Sequence, residues 1–107
     1  MTAPTIAHIT RVVANHYDLP VSALLGPSKL RRFARPRQIA MHLARALTPC
    51  TFAVIGRSIG GRDHSTVCHA VDAIDRLCVA DEGIANDLAD LAERCAGFDT
   101  PNARRSA

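Results

Sequence analysis

The residues best equipped for chemistry crowd into one short stretch, Arg62-Asp63-His64-Ser65-Thr66, with Cys68 and His69 just beyond it. These are short polar groups able to approach the edges of nucleic-acid bases. A carboxylate accepts from the cytosine amino group, and a hydroxyl can donate or accept. His64 and Cys68 stand four residues apart on one helical face, so a metal ion or a Cys–His nucleophilic pair is the competing chemistry. A tetrahedral metal site needs more ligands than this stretch supplies. The four cysteines (Cys50, Cys68, Cys78, Cys95) include no CxxC pair, and in a cytosolic chain they stay reduced. They are expected to be buried or half-buried spectators, with Cys68 packing inward beside Val67 and Val71. Neither GxxxxGK[ST] nor GxGxxG occurs, which removes the usual phosphate loops of nucleotide hydrolysis. No catalytic residue, metal or cofactor is expected, and the chain does not read as an enzyme.

Presenting that stretch is a task for helices, since no segment alternates with a strand's period of two. Ile6, Ile9, Val13 and Tyr17 predict a helix over residues 4–17, and Val21, Leu24 and Leu25 predict one further turn before Gly26-Pro27. Residues 26–35, GPSKLRRFAR, read as a basic connector. Pro36 fits the first turn of the next helix, where its missing N–H costs nothing. That helix runs to about Thr48, with Ile39, Leu43, Ala46 and Leu47 on its inner face. Thr51 can cap a short helix burying Val54, Ile55 and Ile59, and Gly60-Gly61 stops it, because glycine tolerates positive φ. Asp63 can cap a longer helix whose Val67, Val71, Ile74 and Cys78 recur at helical spacing. Short helix, glycine turn and longer helix make a helix-turn-helix. A last helix over 82–95 buries Ile84, Leu88, Leu91 and Cys95, and residues 96–107 form a flexible tail. The expected fold is all-α: one small helical bundle over 1–95.

The 107 residues suit one domain, and at 48% hydrophobic they can bury a core, built without Trp from aliphatic side chains. No run of about 18 apolar residues exists to span a membrane, and the N-terminus lacks the pattern of a secretory signal. A cytoplasmic, nucleoid-associated location is the expectation. The net charge of +3 hides a sorted distribution. Residues 19–62 hold eight bases (Lys29, Arg31, Arg32, Arg35, Arg37, Arg45, Arg57, Arg62) and no acid, whereas 63–93 hold eight acids and a single base, Arg76. The boundary is the start of the second helix of the motif. A basic side points to a polyanionic partner, whose phosphates these bases would neutralise.

ARPRQIAMHLARALT (34–48) followed by IGRSIGGRDHSTVCHAVDAI (55–74) closely resembles the C-terminal DNA-binding domain of the bacterial replication initiator DnaA family. The likeness extends over about residues 4–78. It implies a helical bundle with a Trp-repressor-like helix-turn-helix that binds a short box in duplex DNA. By position, it implies that Asp63, His64 and Ser65 face bases. Thr66, His69, Arg45, Gln38 and Arg37 would contact phosphates or support such contacts. Lys29 stands where the family places an arginine in the minor groove; it keeps the charge without the planar fork. Ser65 stands where threonine is frequent, so a methyl contact to thymine is lost. The resemblance includes no ATPase, implying a stand-alone reader that regulates replication initiation or transcription.

Each residue also has a plainer reading. Capping alone accounts for Asp63, and Arg62 either touches DNA or pins the turn. Arg31 belongs to a connector that lies on the backbone, enters a minor groove or is merely solvated. His69 can be an ordinary surface histidine, and His8, His16 and His42 are expected to be ordinary helix-surface or boundary residues. The second functional reading is a protein-interaction module acting on the replication initiator or its regulators. Nothing marks an obligate dimer interface, so a monomer is expected.

Overall fold

The structure, a computed structural model, describes residues 4–96, and among these the chain forms six helices. Thr5 opens α1 (Ile6–His16), its side chain accepting from the His8 N–H at 3.0 Å. Asp18 closes it at φ 58°, with Leu19 N–H bonded to Ala14 O and Asp18 N–H to Asn15 O. That is a Schellman ending, in which Asp takes the left-handed position usually held by Gly. α2 (Val21–Leu25) is a single short helix that buries Leu24.

α3 (Arg31–Leu47) starts inside the stretch read as connector, five residues ahead of Pro36. Leu30 is its N-cap, and the Leu30 carbonyl accepts from Phe33 and Ala34 N–H at 2.9 and 2.8 Å. Pro36 is therefore not in the first turn. Its missing N–H deprives only the Arg32 carbonyl, on a solvent-exposed residue where water can serve. Residues 33–35 are half-buried, so packing carries the helix back past the proline. Leu30 supplies no side-chain oxygen, which leaves α3 about 1 kcal/mol less stable than a serine cap would. α3 is buried on two faces: Ile39, Ala40, Met41, Leu43 and Ala44 are enclosed between α1 on one side and α5 on the other. Ala46, expected to face inward, is exposed, because Ala40 and Ala44 complete the buried surface instead.

Thr51 caps α4 (Phe52–Ser58) by accepting from Val54 N–H at 3.2 Å, and Ile55 and Ile59 are fully buried. Gly60 and Gly61 turn the chain at φ 83° and 68°. Asp63 then caps α5 (His64–Ala80), which buries Val67, Ala70 and Ile74. Cys68 is exposed, not inward. At 100° per residue it lies outside the arc spanned by Val67, Ala70, Val71 and Ile74. Asp81 joins α5 to α6 (Glu82–Ala96), its Oδ1 accepting from Gly83 and Ile84 N–H. α6 places Leu88, Leu91 and Cys95 against the core, and burial pushes the Cys95 thiol up to about 11. Across this seam the Tyr17 hydroxyl donates to Asp87 Oδ2 at 2.8 Å. Helix α6 takes in Ala96, the first residue assigned to the tail, and 97–107 lie outside the described residues. Among the described residues no helix is long and apolar enough to cross a membrane.

Candidate nucleic-acid interface

The first turn of α5 stands free of the bundle: Asp63, His64, Ser65 and Thr66 are all exposed. Capping orients it. Thr66 N–H and Thr66 hydroxyl both donate to Asp63 Oδ1, at 3.0 and 2.9 Å. Oδ2 accepts no hydrogen bond among the described residues, so one carboxylate serves the cap and keeps an acceptor for an outside donor. These bonds, the backbone N–H of Thr66 first, hold the Asp63 carboxyl below its ordinary value, with His64 and His69 adding smaller attraction. A carboxylate depressed on folding stabilises the fold above its unfolded value and loses that contribution as pH falls through its folded one. Melting temperature is therefore expected to drop on acidification below about pH 4. Asp63→Asn, which retains a capping oxygen, should flatten that part of the acid limb in a thermal-melt series.

Two arginines fix the turn and the connector in place. Arg37, only 6% exposed, donates through Nε to Leu24 O (2.6 Å), through Nη1 to Ser28 O (2.9 Å) and through Nη2 to Ala23 O (3.0 Å). Its fork is fully engaged with backbone, so Arg37 supports the surface from beneath it. Arg62 donates to Ile59 O at 2.9 Å and to Gly26 O at 2.5 Å. The turn-pinning reading of Arg62 is thus the observed one. Burial lowers both guanidinium values, and Arg62 adds a smaller lowering at Arg37, yet arginine stays charged under such shifts.

With the connector so tethered, residues distant in sequence line one cleft of about 490 Å³. Lys29 comes from the connector, Gln38 from α3, and Thr66 and His69 from α5, with Arg37 and Arg62 also along the wall. Arg45 lies two turns beyond Gln38 on α3 and is exposed, its guanidinium 5.3 Å from the centre of the Phe52 ring at the start of α4. Arg31, outside the cleft, occupies the exposed first turn of α3 beside Lys29. No acid sits in that turn. Cations at a helix's positive pole repel it, and an approaching polyanion relieves the repulsion.

Arg76 is the residue that reading along the chain missed. It lines the same cleft, although its Nη2 pairs with Asp72 Oδ2 at 2.7 Å. It was hidden as the lone base of an acidic stretch, but the signal existed: Thr66, His69, Ala73 and Arg76 recur at i, i+3, i+7 and i+10. No group of three or more His, Cys, Asp or Glu able to hold a metal occurs among the described residues.

A family model described as the bacterial dnaA protein helix-turn-helix matches residues 6–74, from the start of α1 well into α5. The chain belongs to this DnaA helix-turn-helix family. The chromosomal replication initiator protein DnaA of Cereibacter sphaeroides is 50% identical over 84 residues, 78% of this chain and 18% of that protein. The same-named protein of Roseobacter denitrificans is 46% identical over 84 residues, again 78% and 18%. That of Methylobacillus flagellatus is 46% identical over 89 residues, 83% of this chain and 19% of the relative. The DnaA-family chain therefore spans about a fifth of the length of these relatives. Helix α6 lies beyond the family match yet packs on α1 and α5, completing the core of the motif.

Proposed function

We propose that this chain is a sequence-specific reader of double-stranded DNA that recognises a DnaA-box-like site and regulates replication initiation or transcription without ATPase activity. The supporting observation is the placement of the exposed, capped Asp63–Thr66 turn beside a cleft edged by Lys29, Gln38 and His69. In a helix-turn-helix that turn enters the major groove. Asp63, His64 and Ser65 then meet base edges, while Thr66, His69, Gln38, Arg45, Lys29 and Arg31 meet the backbone and the adjoining groove. Arg37 and Arg62 hold these elements in register. The likeness to replication initiators supplies the class of site. Among the acids of α6, Asp87 accepts from the Tyr17 hydroxyl, and Asp90 pairs with Arg94 at 3.2 Å.

Fluorescence anisotropy with duplexes containing and lacking the box tests the reading; equal affinity for both would sink it. His64→Ala is expected to cost about 1–3 kcal/mol on the box alone and so relax discrimination. Arg45→Ala should weaken both duplexes alike and reduce the slope of log K against log salt by about 1.

A further inference from the structure

Leu30 is the least economical residue on this surface. It is 58% exposed, one of few large apolar side chains outside the core. It occupies a helix N-cap, a position that favours an oxygen-bearing side chain, and makes no side-chain capping bond. Its neighbours Lys29, Arg31 and Arg32 are exposed cations, and none of them is ion-paired among the described residues. The backbone beneath it is held: Leu30 N–H reaches Ser28 Oγ at 3.3 Å, and the Ser28 carbonyl is gripped by Arg37. An apolar side chain on a tethered backbone therefore stands between cations, in a helix that it leaves without a side-chain cap.

We propose that Leu30 is a minor-groove wedge that packs against the deoxyribose walls and the base step beneath them, bending the bound duplex. The proposal rests on the reading of the chain as a duplex DNA binder and assigns Leu30 a contact within it. The cations around Leu30 select a polyanion as the occupant. Leucine gains nothing from phosphate oxygens, and the apolar surfaces a duplex offers there are its sugar walls and the faces of partly unstacked bases. The connector is tied to the α4–α5 turn through Arg62 and Gly26 O, and Lys29, the residue before Leu30, lines the cleft with Thr66 and His69 of α5, so Leu30 lies near the major-groove helix. Along a duplex, the next groove from that helix is the minor one. Apolar wedges inserted at base steps kink DNA toward the major groove, allowing more of the protein to reach the backbone.

The test uses the wild-type chain, Leu30→Ser and Leu30→Lys with an end-labelled duplex selected from random sequence by the wild-type chain. Leu30→Ser installs a favourable cap, so the variant should melt no lower than wild type, and weaker binding cannot be blamed on unfolding. Expected are a 5- to 20-fold loss of affinity, estimated as about one partly buried leucine, an unchanged salt slope, and a smaller bend by energy transfer between the duplex ends. Leu30→Lys should also bind less tightly. Unchanged affinity and bend in Leu30→Ser would overturn the wedge while leaving DNA binding intact. Tighter binding by Leu30→Lys with a steeper salt slope would overturn it in favour of a phosphate contact. Failure of the wild-type chain to select any duplex would overturn the DNA-binding reading and the wedge together.

Discussion

Gly56→Ala is expected to destabilise the folded chain by about 3 kcal/mol, the upper end of the usual cost of overpacking a closed contact. Glycine inside a helix ordinarily costs about 0.5–1 kcal/mol relative to alanine, so propensity alone forecasts a gain from this substitution. Gly56 is fully enclosed in α4, and its carbonyl accepts from the Arg62 N–H at 2.8 Å. A Cβ there would fall on the Arg62 carbonyl, with Asp63 O 3.2 Å away. Those are backbone atoms of the turn and cannot swing aside as a side chain would. The only relief is to move the turn away from α4, which displaces Asp63 and the exposed start of α5 with it. Urea denaturation should show the lowered midpoint; a midpoint shifted upward would mean that α4 and the turn are less tightly apposed than the structure has them. Any folded fraction should bind DNA with weakened box preference, since the contact being broken orients the base-reading turn.

Arg37→Ala should be at least as costly, at about 3–4 kcal/mol. The guanidinium donates to the carbonyls of Ala23, Leu24 and Ser28, and hydrogen bonds from a charged donor contribute about 1.5–3 kcal/mol each, without full additivity. Ala23 and Leu24 lie in the last turn of α2, whose Gly26 C-cap makes no capping bond. Arg37 thus terminates α2 from outside with a charge that suits a helix C-terminus. Arg37→Lys should recover only part of the loss, because an ammonium lacks the fork that spans three acceptors. An exposed phosphate contact would behave differently: its removal would leave the urea midpoint unchanged and lower only the salt slope of DNA binding. A double-mutant cycle with Arg62→Ala should be non-additive, since Arg62 tethers Gly26, between the carbonyls that Arg37 holds.

Much of the scaffold was readable along the chain because its signals are local. Thr51, Gly60-Gly61 and Asp63 sit within a few residues of the backbone groups they serve, so residue type and spacing suffice to place α4, the turn and α5. The inner stripe of α5 followed from helical period for Val67 and Ile74. Cys68 reads as inward by its hydrophobic character, yet its angular position on α5 turns it to solvent. Pro36 is a strong local stop signal, but residues 33–35 pack against the bundle and carry the helix back to Arg31. Arg76 is hidden in a count of charge along the chain, whereas the cleft assembles it around a helix face.

The sequence by itself determined the helical class, the helix-turn-helix, the capped polar turn and the division of charge that begins at Asp63. Each depends on interactions within about one turn of chain, and such interactions are the same whatever the rest of the molecule does. Tertiary structure alone decided what each arginine does. Lys29, Arg31, Arg37, Arg45 and Arg62 are equivalent as charges in a row, yet two of them are turned onto carbonyls of the α2–α3 connection and the α4–α5 turn, while three stay in solvent. That division depends on which carbonyls lose water when α2, α3 and the turn converge. A carbonyl withdrawn from solvent must find a donor in the protein, and the nearest guanidinium on the facing element becomes that donor.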